Sequence, residues 1–211
     1  MGGIVAERLA AHIGIALERL ARAPERPGWT TVDWEALVDD PRAAGTGDVD
    51  VGVCCLGTTR ARAGSDAAFR RVDLDYVAAF TRACRARKAT RFVLVSSVGA
   101  GGGGLYLRTK GDAEASARAA GFASVDLLRP SLLLGPRIER RPGEMLAQAL
   151  APFLSPFLLG PLARYAAVDA TTVASAVVAL VVDPPGDGVR VHEVPELRRL
   201  AAAPATGQEA R

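Results

Sequence analysis

The chain is poor in residues that bind metals or form disulfides. Its 211 residues include three cysteines, Cys54, Cys55 and Cys84, and two histidines, His12 and His192. The cysteines do not have C-x-x-C spacing, and the two histidines lie far apart in the sequence. This scarcity argues against a disulfide framework and against a structural metal site. Buried, reduced thiols in a cytoplasmic protein are the expectation.

Long apolar runs and a strong net charge are also missing. Asp183 and Pro184 close the longest apolar run, residues 173–182, before it reaches the ~18 residues that a membrane span needs. The start of the chain has no charged-then-apolar leader, so export is not expected. The net charge is only +3, with basic and acidic residues interspersed, which argues against a nucleic acid partner. A hydrophobic content of 49% predicts one globular domain over residues 1–211.

Apolar, β-rich segments alternate with segments of helical periodicity along most of the chain. Strands are predicted at 48–56, 90–97, 124–130 and 189–194, and helices at 66–88, about 106–120, about 170–182 and from Pro195 onward. This alternation is typical of right-handed βαβ units. The predicted fold is therefore α/β, with a doubly wound, mostly parallel sheet flanked by helices. The Pro- and Leu-rich residues 137–165 are predicted to cap a pocket.

The N-terminal residues resemble part of a phosphate-binding turn. M-G-G-I-V-A matches the second half of a G-x-x-G-x-x-[GA] pattern, with Gly3 and Ala6 at its last two positions. The strand that should precede this turn is expected to be missing, unless the coding frame extends upstream of Met1. Residues 12–17 form either the next strand, with Arg19 at its end, or a continuation of the first helix. Residues 29–34 are predicted to be a strand with Asp33 near its end.

Three of the predicted strands end at polar or glycine-containing residues, which are Leu56 to Thr59, Ser96 and Ser97, and Arg129 to Ser131. Ligands of parallel sheets bind at these carboxyl ends. Tyr106 and Lys110 follow the serines and are four residues apart, so both project from one face of a helix. A neighbouring ammonium favours the phenolate form of a tyrosine, which suits it to general acid–base catalysis. A serine hydroxyl nearby can donate a hydrogen bond to a carbonyl oxygen that gains negative charge.

Several segments together resemble a known protein family. They are V-G-V-C-C-L-G-T-T-R (51–60), L-V-S-S-V-G-A (94–100), L-Y-L-R-T-K-G-D-A-E (105–114), L-L-R-P-S-L-L-L-G (127–135) and R-R-P-G-E (140–144). In this order they are similar to the Tat-interacting-protein type of atypical short-chain dehydrogenase/reductase, over about residues 29–200. The resemblance implies an NAD(P)-binding Rossmann-like fold, with NADP(H) preferred and NAD(H) as the alternative. It also implies a small carbonyl or alcohol substrate.

The resemblance also assigns roles to residues. It implies that Tyr106 is the catalytic acid/base, that Lys110 is its partner and ribose anchor, and that Ser97 or Ser96 orients the substrate carbonyl. Arg19 would lie near a 2′-phosphate. Arg129 and Pro130 either line the pocket or only end a strand. The residues expected along the dinucleotide are Gly3, Arg19, Asp33, Leu56, Gly57, Thr58, Tyr106, Lys110, Arg129, Pro130, Leu133 and Arg141.

The sequence departs from the family pattern in two places. The opening strand and the first glycine of the phosphate turn are absent from it, which predicts weakened binding of the pyrophosphate. The glycine-rich linker, residues 99–104, is expected to loosen the placement of Tyr106. These departures keep a second hypothesis open, a non-catalytic nucleotide-binding regulatory or scaffold protein. A homodimer or a regulatory protein partner is a further expectation.

Overall fold

A computed structural model describes residues 1–22, 27–134, 160–184 and 186–203. The strands are β1 (Leu20–Ala21), β2 (Thr30–Thr31), β3 (Val51–Cys54), β4 (Arg91–Val95), β5 (Ser124–Arg129), β6 (Leu133–Leu134), β7 (Val168–Asp169) and β8 (Gly188–Glu193). The α-helices are α1 (Gly2–Ala10), α2 (Trp34–Asp39), α3 (Arg60–Ala63), α4 (Asp66–Arg70), α5 (Tyr76–Ala86), α6 (Leu105–Ala119), α7 (Ala170–Val182) and α8 (Val194–Ala202). A π-helical segment, Arg71–Asp75, joins α4 to α5, and 3₁₀ helices span Pro41–Ala44 and Gly160–Tyr165.

The central sheet has four parallel strands in the order β3-β4-β5-β8. One row of paired residues crosses all of them, from Val51 through Arg91 and Ser124 to Gly188. Two small parallel pairs, β1 with β2 and β6 with β7, complete the described strands. Parallel strands need crossover connections, and the helices between them provide these connections.

The two faces of the sheet carry separate hydrophobic layers, because successive side chains of a strand point to opposite faces. Phe92 and Leu94 of β4 pack in a cluster with residues of α5 and α6. Val93 and Val95 pack in another cluster with residues of α1, α7 and α8. The sheet is therefore covered by helices on both faces, and the predicted α/β, Rossmann-like class is confirmed.

Short polar side chains cap the N-termini of helices α2, α3 and α4. The Asp33 carboxylate accepts hydrogen bonds from the backbone N–H groups of residues 35 and 36 at the start of α2. Thr59 caps α3 and Ser65 caps α4 in the same way. Such caps satisfy backbone donors that have no partner within the helix. They explain why the polar stretch after β3 turns into helix.

The N-terminal third differs most from the sequence-based expectations. Residues 12–17 form neither a strand nor a continuation of α1, which ends at Ala10, and the strand is instead β1 at Leu20–Ala21. Only Thr30–Thr31 of the predicted strand 29–34 pairs, because the Asp33 cap starts a helix at Trp34. Most of the predicted cap, residues 137–165, lies outside the described residues. Within the described part of the chain, no helix is both long and apolar enough to cross a membrane.

Candidate functional site

The carboxyl ends of β3, β4 and β5 meet at one edge of the sheet, because the three strands are parallel and in register. β3 leads there into the turn Leu56 to Thr58, and β4 leads into Ser96 and Ser97. The loop after β4 stays close to the end of β5, since Val98 N–H donates to Pro130 O over 2.9 Å. The structure thus brings the three predicted strand ends together at one edge.

Helix α6 places Tyr106 and Lys110 beside this edge. The Lys110 ammonium nitrogen lies 6.0 Å from the centroid of the Tyr106 ring. Tyr106 is 45% exposed, whereas Lys110 is 7% exposed. The ring of Phe69, at 5.9 Å between centroids, packs against the inner side of Tyr106. The accessible phenol and the buried ammonium are therefore neighbours, as their four-residue spacing predicted.

Asp73 is a site residue that the sequence reasoning missed. Its carboxylate is fully buried, and its Oδ1 lies 2.8 Å from the Lys110 Nζ. Its Oδ2 accepts a hydrogen bond from the backbone N–H of Thr58 over 2.7 Å. A signal was available, because Asp73 falls midway between the buried Phe69 and Val77 on one helical stripe. A carboxylate on an apolar stripe requires a partner inside the protein.

The two serines after β4 differ in exposure. Ser96 is 7% exposed, and its hydroxyl has no hydrogen-bond partner among the described residues. Ser97 is half-buried, and among the described residues its Oγ makes one long hydrogen bond of 3.4 Å, to the O of Val98. Ser97 is therefore the more available hydroxyl for a ligand at this edge.

The glycine-rich linker is packed onto α6. Gly101 N–H donates to Leu107 O over 2.8 Å. A Cβ atom at Gly111 of α6 would lie 2.6 Å from the Gly101 Cα, so the two backbones touch. Gly104, with φ of 83°, forms the start of α6. The expectation of a loosened Tyr106 does not match these contacts, because backbone bonding and close packing hold the linker in place.

A separate cavity of about 410 Å³ lies between α1 and the segments that flank β1 and β2. Gly3, Ala6, Glu7 and Ala10 of α1 line it, together with Arg19, Pro27 and Trp29. Within the described part of the chain, no ion pair involves the Arg19 guanidinium, which lies directly before β1. Tyr106 and Lys110 do not line this cavity. It thus contains the predicted Gly3 and Arg19 and neither of the predicted acid–base residues.

Most of the other predicted cofactor-binding residues make contacts within the protein itself. The Asp33 carboxylate is engaged in capping α2. Arg129 binds the buried Glu114 of α6 through two hydrogen bonds, of 2.9 and 2.6 Å. Pro130 is buried beside it, while Leu56 and Leu133 are half-buried and pack against the hydrophobic core. Arg141 lies outside the described residues.

The buried cysteine at the end of β3 is not a reactive thiol. Burial raises the pKa of Cys54 to about 11, although a backbone hydrogen bond at Leu56 and the charge of Lys110 act in the opposite direction. A thiol with so high a pKa is almost fully protonated at neutral pH and is a poor nucleophile. Cys54 is therefore a packing residue of the core rather than a candidate nucleophile.

Known proteins match this chain both in sequence and in fold. No protein-family model matches it. Protein HTATIP2 of Rattus norvegicus is 44% identical over 119 residues, which are 56% of this chain and 48% of the rat protein. Protein fmp52, mitochondrial, of Emericella nidulans is 39% identical over 101 residues, 47% of this chain and 43% of the fungal protein. The chain spans about half the length of the curated relatives it matches.

Two solved structures show the same fold. The human epimerase family protein SDR39U1 with NADPH has a TM-score of 0.63 at 17% identity, over 92% of this chain and 70% of that one. The Bordetella bronchiseptica enzyme WbmH with NAD⁺ has a TM-score of 0.65 at 15% identity, over 95% of this chain and 75% of that one. These likenesses support the Rossmann-like fold. The sequence matches, over about half of the chain, confirm the resemblance to the Tat-interacting-protein type.

The comparisons also correct one expectation. The sequence favoured a cytoplasmic protein, because its few cysteines were expected to be reduced. The fungal relatives from Emericella nidulans, Candida albicans and Scheffersomyces stipitis are instead named mitochondrial proteins. The cytoplasmic prediction is thus contradicted. Reduced thiols do not distinguish between these two compartments.

Proposed function

We propose that this chain is an NADPH-dependent oxidoreductase of the atypical short-chain dehydrogenase/reductase type, acting on a small carbonyl or alcohol substrate. The observation that carries the proposal is the pairing of an accessible phenol, Tyr106, with a buried ammonium, Lys110, at the carboxyl edge of a parallel sheet. Ligands of such sheets bind at this edge. The ion pair with Asp73 supports the proposal, because a buried charged pair is costly to maintain and is often found at functional sites.

The residues of the edge fit a dinucleotide. The Arg19 guanidinium has no ion pair within the described residues, which supports a 2′-phosphate in the cavity that it lines together with Gly3. A Cβ atom at Gly57 would contact the Lys110 Nζ at 3.6 Å, so the lack of a side chain at this glycine leaves room for a ribose next to the ammonium. When bound, NADPH would supply the hydride.

The chain itself supplies the proton and the orientation of the substrate. The Tyr106 hydroxyl would donate its proton to the carbonyl oxygen as negative charge develops there. The Lys110 ammonium would stabilise the phenolate that remains. The Ser97 hydroxyl would donate a hydrogen bond to the same carbonyl oxygen and so fix its position. In this proposal Leu133 belongs to the nicotinamide end, as the resemblance implies, and Arg129 and Pro130 line the pocket.

A Tyr106→Phe variant tests the proposal. Wild-type protein should bind NADPH in a fluorescence titration and reduce at least one member of a panel of small aldehydes and ketones. Tyr106→Phe should keep NADPH affinity within about threefold and lose kcat by about 10²–10⁴-fold. Tyr76→Phe is the matched control, because its hydroxyl donates to Glu35 of α2, outside the candidate site.

Three outcomes would count against the proposal. A folded wild-type protein without NADPH binding at millimolar concentration would refute it. A Tyr106→Phe variant with full activity would remove the assigned acid. Tight NADPH binding with no turnover across the panel would favour the regulatory alternative. Size-exclusion chromatography on the same preparation would test the predicted homodimer.

A further inference from the structure

One buried carboxylate connects two parts of the candidate site. Asp73 Oδ1 pairs with the Lys110 ammonium at 2.8 Å, and Oδ2 accepts the Thr58 N–H at 2.7 Å. The Lys110 side chain is 8% exposed and that of Asp73 is not exposed at all. In such surroundings neither charge is stable without the other. The ammonium and the turn after β3 are therefore fixed relative to each other through a single side chain.

A local irregularity of the helix brings Asp73 to this position. The helical stretch from Asp66 to Ala86 contains the π-helical segment Arg71–Asp75 at its middle. Single π-helical turns are rare and are found frequently at functional sites. The neighbouring charges of this segment have other partners, because Arg71 pairs with Asp75 and with Glu35 on the outer side. Asp73 is thus the charge of this segment that reaches the sheet edge.

We infer that Asp73 is a positioning residue that couples the dinucleotide-binding turn to Lys110. This inference rests on the proposed function. The carboxylate offsets the cost of burying the ammonium and at the same time orients the backbone of Thr58. Displacement of the turn therefore moves the carboxylate and, with it, the ammonium beside Tyr106. A neutral side chain of the same shape would hold the turn and leave the ammonium without its counter-charge.

Asp73→Asn separates the hydrogen bond to the turn from the counter-charge to Lys110. The amide oxygen can still accept from Thr58 N–H, whereas the negative charge is lost. We expect kcat to fall at least tenfold and the KM for NADPH to rise. The alkaline limb of the pH–rate profile should move to lower pH, since a buried ammonium without a carboxylate loses its proton more readily. Asp75→Asn is the matched control on the same segment. Its carboxylate is 41% exposed and pairs with Arg71, so all three quantities should stay unchanged.

A double-variant cycle shows whether Asp73 acts through Lys110. If it does, Asp73→Asn added to Lys110→Met should lower kcat no further than Lys110→Met alone. Independent, multiplicative losses would overturn the coupling. If Asp73→Asn fails to fold, Asp73→Glu keeps the charge and displaces the carboxylate by one methylene. The Asp73→Glu variant should then lose kcat at least tenfold, and unchanged kinetics in it would overturn the inference.

Measurements on the wild-type protein distinguish a failure of the proposed function from a failure of the role inferred for Asp73. Absence of NADPH binding by wild-type protein would refute the proposed function and this inference with it. Wild-type turnover together with an Asp73→Asn variant of unchanged kcat, KM and pH profile would refute the inference alone.

Discussion

Replacing Gly111 with alanine is expected to destabilise the protein, although alanine is the better helix former. A methyl group at this position of α6 would lie 2.6 Å from Cα and 2.7 Å from N of Gly101. Ordinary contacts between carbon atoms are about 3.5–4.0 Å, so the linker backbone would have to move by about 1 Å. That movement would break the hydrogen bond from Gly101 N–H to Leu107 O, next to Tyr106.

Two destabilising contributions and one stabilising contribution determine the expected change in the free energy of unfolding. Overpacking against backbone should cost about 1–3 kcal/mol, and the lost hydrogen bond about 0.5–1.5 kcal/mol. The higher helix propensity of alanine returns about 1 kcal/mol. The expected net loss in the free energy of unfolding is therefore about 2 kcal/mol, or about 4–8 °C in Tm for a chain of this size.

Urea unfolding followed by circular dichroism measures this loss. Gly103→Ala is the matched control in the same linker, because no atom lies within 4 Å of its Cβ position and its φ is not positive. It should leave the free energy of unfolding unchanged or raise it by up to about 1 kcal/mol. Equal unfolding midpoints for the two variants would refute the view that the linker is packed onto α6.

Two further predictions concern the core of the sheet. In Gly52→Ala the new methyl group would lie 2.6 Å from the Cys84 Sγ. The free energy of unfolding should fall by about 1–3 kcal/mol. Adding Cys84→Ala to Gly52→Ala should recover part of that loss, because it removes the sulfur atom that the methyl group meets. If the effects of the two substitutions in urea titrations simply add, the predicted contact is contradicted. Burial raises the pKa of Asp126, but hydrogen bonds from His192 and Arg190 outweigh it and hold the pKa below its usual 3.8. This stabilisation is present above about pH 4 and is lost as the pH falls through the lower folded value. The stability gap between wild type and Asp126→Asn should therefore narrow as the pH falls below about 4.

The alternation of strands and helices could be predicted from the sequence because it is a local property. The helix predicted at about 170–182 is α7 with the same bounds, and the strands near 91, 124 and 188 lie within a few residues of their predicted positions. Hydrophobic periodicity decides such elements, since each buries one face against the core.

The N-terminal third could not be predicted in the same way. Residues 12–17 are apolar and periodic enough for a helix or a strand, yet α1 ends at Ala10 and pairing begins only at Leu20. Strand pairing depends on neighbours distant in sequence, and short apolar runs are ambiguous by periodicity alone. Asp33 was predicted near the end of a strand, but its carboxylate caps the N-terminus of helix α2.

The sequence by itself determined that Tyr106 and Lys110 share one face of a helix behind a polar strand end, because i to i+4 spacing is a property of the helix alone. Only the tertiary structure decided that Asp73 is the partner of Lys110 and that Arg129 is bound by Glu114. Those ion pairs join side chains from different elements. Their formation depends on how the elements pack and on the cost of burying an unpaired charge, and neither is visible in local spacing.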